Sequence, residues 1–333
     1  MNQEEIKNAI SKVIEHGQFI LGPEVFELEN QLAAYTKAKH CITVSSGTTA
    51  IQLALMALDI GLGHEVITTP YTFAGTAEAI ILAGAKPVFV DIDPETFLIN
   101  PEKIEQVITP RTRAILPVSL FGQMADLDLI NQIAVRHNLS VIEDAAQSFG
   151  ATQKNCKSTA ASLVGITSFY PTKPLGCYGD GGAVFTSSNI LADRIRALRH
   201  HGQVEKNHHV YVGLTGRLDT IQAAILLVKL RHFETEILRR QRLASDYQAS
   251  FSNYQIIKKL EQNTHVYAQF GILSNSRDVL KEELLARGLQ TSIHYPKCLH
   301  LQPAFAYLGY KEGDFPCAEK ASSSILCLPM YHA

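Results

Sequence analysis

Seven short apolar runs, most of them separated by stretches of helical periodicity, restrict this chain to few architectures. They are CITVS (41–45), EVITT (65–69), PVFVDI (87–92), RAILPV (113–118), SVIED (140–144) and the segments 165–169 and 182–186. Helical patterns fall at 3–16, 25–35, 48–58, 73–83, 102–108 and 127–137. Strands covered on both faces read as continuous apolar runs rather than alternating ones. Strand–helix alternation implies a mainly parallel sheet with right-handed crossovers. The expected fold is therefore α/β, with a mainly parallel seven-stranded sheet. Such sheets hold ligands at the carboxyl ends of their strands. Thr48, Phe73 and Asp144 fall near those ends, and Ser168 ends the strand that leads to Lys173.

Lys173 stands between Pro171 and Pro174 in SFYPTKPLGCYGDGG (168–182). A lysine at a tight turn between two buried strands is unusually placed for a surface charge. An amine in such a place serves as a nucleophile toward a carbonyl, with which it forms a Schiff base. Gly176, Gly179, Gly181 and Gly182 let the backbone take positive φ and approach a bound group closely, and Ser168 offers a hydroxyl to a phosphate.

Two further stretches converge on the same ends. Ser46-Gly47-Thr48-Thr49 lies between a strand and a helix, an arrangement that either aims N–H groups at an anion or simply caps the helix. Asp144, just past an apolar strand, is costly if buried unpaired. It needs a cation, such as a protonated pyridine nitrogen, or serves as a helix cap. Phe73 is either core or a platform for a flat ring.

Past Gly202, GLTGRLDTIQAAILLVKL begins a long helix with Arg239, Arg240 and Arg242 at its far end. From about residue 247 the pattern changes, with strands expected at 266–273 and 289–296 and a helix at 277–288. This gives a large domain over 1–246 and a smaller C-terminal α/β domain over 247–333. The formal net charge of −2 speaks against nucleic acid as a partner. No C-x-x-C pair occurs among the six cysteines, and His200, His201, His208 and His209 have no thiol among them, so no metal is expected. The polar start, MNQEEIKNAI, is unlike a signal peptide, and no apolar run reaches the roughly 20 residues of a membrane span. A soluble protein of the cytoplasm is expected.

Five motifs in order, SSGTTA, TPYTFAGTAEAI, EDAAQSFGA, SFYPTKPLGCYGDGG and GRLDTIQAA, resemble the DegT-type vitamin-B6-dependent sugar aminotransferases. The resemblance runs over almost the whole chain. It implies the aspartate-aminotransferase fold (fold type I), pyridoxal 5'-phosphate as cofactor and pyridoxamine 5'-phosphate as its half-reaction form. It implies that Lys173 holds the cofactor and moves the proton, that Asp144 pairs with the ring nitrogen and that Gln147 bonds the ring hydroxyl. Phe73 is implied to stack on the ring, and Gly47, Thr48 and Ser168 to bind the phosphate. Thr215 stands where the family has an asparagine that reaches the neighbouring subunit's cofactor, so a homodimer with shared active sites is implied. Relatives are expected to continue past Met330-Tyr331-His332-Ala333 into a further helix.

GRLDTIQAAIL and HYPKCLHLQPA most resemble enzymes that aminate carbon 3 of a nucleotide-linked keto sugar. The implied substrates are a UDP-2-acetamido-3-keto uronate and the donor glutamate, in surface polysaccharide biosynthesis, with no membrane partner. Arg217 would meet the sugar carboxylate or, alternatively, pair with Asp219. His294 and Tyr295 would contact the sugar. Three other readings exist: an aminotransferase of a dTDP-3-keto-6-deoxyhexose, a dehydratase, and a cofactor-binding regulator without turnover. Lys173 argues against the dehydratase, whose relatives carry histidine there, and no basic or helix-turn-helix segment supports the regulator.

Overall fold

The structure, a computed structural model, describes residues 3–330. The first two residues of the polar start and the final Tyr331-His332-Ala333 lie outside the described residues. Two helices come first, α1 (Gln3–His16) and α2 (Pro23–Thr36). Proline suits the first turn of α2, where its missing N–H would have no partner.

The sheet-forming region follows: β1 (His40–Val44), α3 (Gly47–Ala57), β2 (Glu65–Thr68), α4 (Ala74–Leu82), β3 (Lys86–Phe89), β4 (Thr112–Ile115), α5 (Leu127–His137) and β5 (Ser140–Asp144). A small ribbon, β6 (Thr152–Gln153) with β7 (Cys156–Lys157), precedes β8 (Val164–Ser168), β9 (Gly182–Thr186) and α6 (Asn189–Arg199). A second ribbon, β10 (Gln203–Glu205) with β11 (His208–His209), leads into α7 (Thr220–Arg231) and α8 (Phe233–Ser250). The C-terminal part holds β12 (Gln255–Ile256), β13 (Phe270–Leu273), α9 (Arg277–Ala286), α10 (Pro316–Ser324) and β14 (Ile325–Leu328).

Seven strands form the main sheet in the order β1-β9-β8-β5-β4-β2-β3. β9 runs antiparallel to β1 and β8, and the other neighbours are parallel. Both faces are buried, as the continuous apolar runs require. Ile42, Val44, Val66, Ile142 and Ile166 pack on one side. Cys41, Ile67, Ile115, Val141 and Phe185 pack on the other. β5 and β8 are neighbours, with Asp144 opposite Ile166. The ends of these two strands therefore open onto one place. β12, β13 and β14 form a separate antiparallel sheet.

Four local expectations are corrected. Residues 102–108 form two short 3-10 turns, Pro101–Lys103 and Glu105–Val107, instead of an α-helix. The strand expected at 266–273 is confined to Phe270–Leu273, because Val266 N and Gln269 N bond to Gly122 O and Phe121 O, and Tyr267 takes a left-handed φ of 49°. Residues 289–296 contribute one bridge, Ser292 to Cys327, since the Tyr295 N–H is used by a side chain. The long helix after Gly213 is two helices, α7 and α8, with His232 between them.

Candidate active site

A cavity of about 450 Å³ opens at the carboxyl ends of β1, β5 and β8. A wider one, about 570 Å³, lies between Phe97 and α10, but among the described residues Lys320 is the only charged side chain on its wall. The smaller cavity is lined by Asp144, Lys173, Asp180 and His294. Nine of the eleven residues expected at the site line it: Gly47 and Thr48 from α3; Phe73 before α4; Asp144 and Gln147 at and after β5; Ser168 and Lys173 at and after β8; and His294 and Tyr295 from the C-terminal part.

At one end the start of α3 meets the end of β8. Ser46 caps the helix, its Oγ accepting from Thr49 N at 3.0 Å. A Cβ at Gly47 would stand 2.9 Å from Ser168 Cβ, so only glycine allows the two chains to approach this closely. The helix N-terminus with the Thr48 and Ser168 hydroxyls makes this end suited to an anion.

Asp144 occupies the middle. It is only 5% exposed. Its Oδ2 accepts from Thr76 Oγ1 at 3.0 Å and its Oδ1 from Ala146 N at 3.1 Å. Burial raises its pKa, while the Ala146 N–H, Lys173 and Thr76 act in the other direction. Burial conversely lowers the pKa of Lys173, and the charge of Asp144 opposes this. The cavity thus holds a carboxylate in need of a cation and an amine readily freed of its proton.

The loop bearing Lys173 is tied down on both sides. Lys173 N bonds to Tyr170 O at 2.8 Å and Cys177 N to Phe169 O at 2.7 Å. From α7, Lys229 Nζ donates to Gly176 O, and Gln222 Oε1 accepts from Tyr178 N at 2.9 Å.

The remaining wall is aromatic. Phe73, 58% exposed, lies with its ring centroid 6.4 Å from that of Tyr295. Gln147 is fixed by Phe121 N, which donates to its Oε1 at 2.8 Å. Gln147 Nε2 donates to the Tyr295 hydroxyl at 3.1 Å, leaving one amide proton uncommitted by that bond. Burial, then the charge of Asp144, raises the Tyr295 pKa, so its phenol stays neutral. Burial, then Lys173, lowers that of His294.

Thr215 and Arg217 are not on this wall. They lie beside the end of α6, where Thr215 Oγ1 is 3.0 Å from His201 Nε2 and Arg217 Nη1 is 2.8 Å from His200 Nδ1. Thr76 and Gln269 do line the cavity and were not among the expected residues. Thr76 had a signal, since it falls in the first turn of α4, three residues after Phe73. Gln269 had none, because the sequence does not show that the chain before β13 crosses to this wall.

The sequence pattern of the DegT/DnrJ/EryC1/StrS aminotransferase family matches residues 1–333. The chain belongs to this family of aminotransferases. It is 49% identical over 331 residues to the UDP-2-acetamido-2-deoxy-3-oxo-D-glucuronate aminotransferase of Pseudomonas aeruginosa, across 99% of this chain and 91% of that protein. It is 40% identical to the dTDP-3-amino-3,4,6-trideoxy-alpha-D-glucose transaminase of Streptomyces venezuelae, across 98% of this chain and 87% of that protein. Among solved structures, ntda from Bacillus subtilis with bound cofactor PMP superposes with a TM-score of 0.91 at 34% identity, across 99% of this chain and 78% of that one.

Proposed function

We propose that the protein transfers the amino group of glutamate to carbon 3 of a UDP-linked 2-acetamido-3-keto uronate, using pyridoxal phosphate. The carrying observation is that Lys173 and the buried Asp144 share one cavity, from the ends of the adjacent strands β8 and β5. The residues present fit that cofactor. Asp144 is a buried carboxylate in need of a positively charged ring nitrogen, and Gln147 keeps an amide proton for a ring hydroxyl. Phe73 offers a ring face, and Gly47, Thr48 and Ser168 form a crowded anion-binding end. When bound, the cofactor supplies a ring that withdraws electrons from the substrate carbon.

The chain's own residues do the rest. Asp144, ionised, keeps the ring nitrogen protonated. Lys173 Nζ, with basicity lowered by burial, would hold the cofactor and take the proton from, or return it to, the substrate carbon that bears the amino group. Tyr295, neutral and already accepting from Gln147, has its own proton left to donate into the cavity. His294 stands beside it as a second sugar contact.

The uronate is supported by the likeness to the Pseudomonas aeruginosa enzyme. Arg217, with a planar fork suited to a carboxylate, is assigned to carbon 6. Because Thr215 and Arg217 lie off this chain's own cavity, the reading includes a homodimer in which the 214–217 segment completes the partner's site. A division at 246/247 into a cofactor-binding and a smaller domain, a cytoplasmic location and a role in surface polysaccharide synthesis belong to the same reading. Among the described residues no helix is long and apolar enough to cross a membrane. The likeness to the Streptomyces venezuelae transaminase favours a second reading, a dTDP-3-keto-6-deoxyhexose as substrate. A panel of nucleotide-linked keto sugars with glutamate as donor tests both. Turnover of the UDP-uronate above the rest is expected, and turnover of none of them would overturn the function.

A further inference from the structure

In the stretch TPYTF, Phe73 faces the cavity and Tyr71 does not. The Tyr71 ring is fully buried, 0% exposed, with the rings of Phe97, Phe121 and Tyr295 at 5.8, 6.4 and 6.2 Å. Phenylalanine would fill that space as well. The hydroxyl is what packing does not require, and a buried phenol oxygen persists only with partners.

Its partners are both polar atoms of a single peptide unit. Tyr71 Oη donates to His294 O at 2.7 Å and accepts from Tyr295 N at 3.2 Å. That unit carries the two C-terminal side chains assigned to the sugar. Its flanks are held separately. Leu299 N bonds to Pro70 O at 2.8 Å, and Ser292 and Cys327 exchange two backbone bonds at 3.0 and 2.8 Å. Between these anchors, Tyr71 is the hold on the main chain of residues 294 and 295.

We propose that Tyr71 is a positioning residue for the sugar substrate. Its hydroxyl fixes the His294–Tyr295 peptide, so that the imidazole stands at the cavity wall and the phenol meets Gln147. Without it the peptide loses both hydrogen bonds, and the Tyr295 hydroxyl no longer has a fixed place against Gln147 Nε2. The cofactor end, built by α3, β5 and β8, is untouched. Sugar recognition then suffers while cofactor retention does not. This rests on the reading that His294 and Tyr295 contact a keto sugar.

The test is Tyr71→Phe in the full-length, cofactor-loaded enzyme, which conserves the ring and removes one atom. Hydrogen exchange by mass spectrometry is expected to show the Tyr295 amide exchanging at least about tenfold faster, the scale of one lost hydrogen bond. Peptides covering α3 and β5 should be unchanged. In separate half-reactions, the KM for the keto sugar should rise about tenfold with little change in kcat, and the glutamate half-reaction should stay within about threefold. Unchanged exchange at Tyr295 overturns the positioning role. Equal losses in both half-reactions with a lowered Tm mean a structural role only and overturn it too. Faster exchange with an unchanged keto-sugar KM overturns the link to substrate. A wild-type enzyme inactive on every keto sugar overturns the functional reading instead and removes the substrate half of the proposal, while the exchange measurement still decides whether Tyr71 holds the peptide.

Discussion

Arg217 donates through Nη1 to His200 Nδ1 at 2.8 Å. A guanidinium has no acceptor, so this nitrogen of His200 carries no proton. Burial, and next the charge of Arg217, hold the His200 pKa below its ordinary value, which keeps the pair intact at neutral pH. Asp219, the ion-pair partner considered from sequence, instead precedes α7 at its N-cap. Arg217 is thus oriented without its charge being neutralised by His200.

Arg217→Ala is expected to cost about 2–3 kcal/mol of transition-state stabilisation for the UDP-3-keto uronate, the scale of a charge-assisted hydrogen bond. It should cost little for a dTDP-3-keto-6-deoxyhexose, which has no carboxylate. Comparing kcat/KM for both sugars with both proteins decides it. A harmless substitution together with preference for the deoxyhexose would move the enzyme to the second reading.

Borohydride reduction of protein loaded with pyridoxal phosphate should fix the label on Lys173. Peptide mapping reads this directly. A label on another lysine would contradict the role given to the loop after β8.

Asp144→Asn should lower kcat by at least about a hundredfold while weakening cofactor binding by less than about tenfold. The anion end at Gly47, Thr48 and Ser168 remains in this variant, but the ring nitrogen loses its counter-charge. Near-normal kcat would remove Asp144 from the mechanism.

A shared site makes two variants, one inactive and one impaired, complementary. Mixing Lys173→Ala with Arg217→Ala, unfolding and refolding them together, should restore about a quarter of the wild-type activity toward the uronate. Half of the dimers are mixed, and one site in each is whole. No recovery, with sedimentation showing an active monomer, would rule out lending of the 214–217 segment.

Two buried groups give opposite acid responses. Burial raises the Glu143 pKa from 4.5 to about 7, so the folded state binds more protons across that interval and stability falls as pH rises. Burial lowers His265 from 6.5 to about 3, so the unfolded state binds more protons there and stability rises with pH. From 4.5 to 6.5 the two slopes cancel. Glu143→Gln should unmask the histidine, giving a gain of about 1.4 kcal/mol per pH unit in that window by urea unfolding. A flat profile in the variant would contradict the assignment.

Much of this molecule is legible in its sequence, for reasons that individual elements show. β2, β3, β4 and β5 stand within about one residue of the start of their apolar runs, because a strand buried on both faces leaves no polar register. α5 has the expected limits, with Asp126 capping it and Asn138 ending it in a left-handed conformation. Some of what failed was local: residues 102–108 wind into 3-10 turns, α7 and α8 part at His232, and none of Gly176, Gly179, Gly181 and Gly182 takes a positive φ. The rest was long-range. Nothing local in VYAQFGIL says that Val266 and Gln269 bond to a turn at 121–122 instead of a neighbouring strand. The same holds for Tyr295, whose N–H goes to a side chain 224 positions away. The cavity could be placed because strand ends and helix starts are local signals. Its C-terminal wall is built from contacts that no periodicity encodes.

The place of β9 between β1 and β8 has a consequence for the order of synthesis. Among the described residues β1 pairs in the main sheet with β9 alone, with His40 opposite Thr186. A nascent chain that has left the ribosome with β1 alone carries an apolar strand with nothing to pair with, and this lasts until residue 186 has emerged. Loop closure over that distance is slow, and unpaired edges invite association. The lysine arrives just before the strand that completes the sheet, and the wall bearing Tyr295 comes more than a hundred residues later. Cofactor capture should therefore precede the ability to hold a sugar, and a polypeptide stalled near the end of α8 is expected to be coloured but inert.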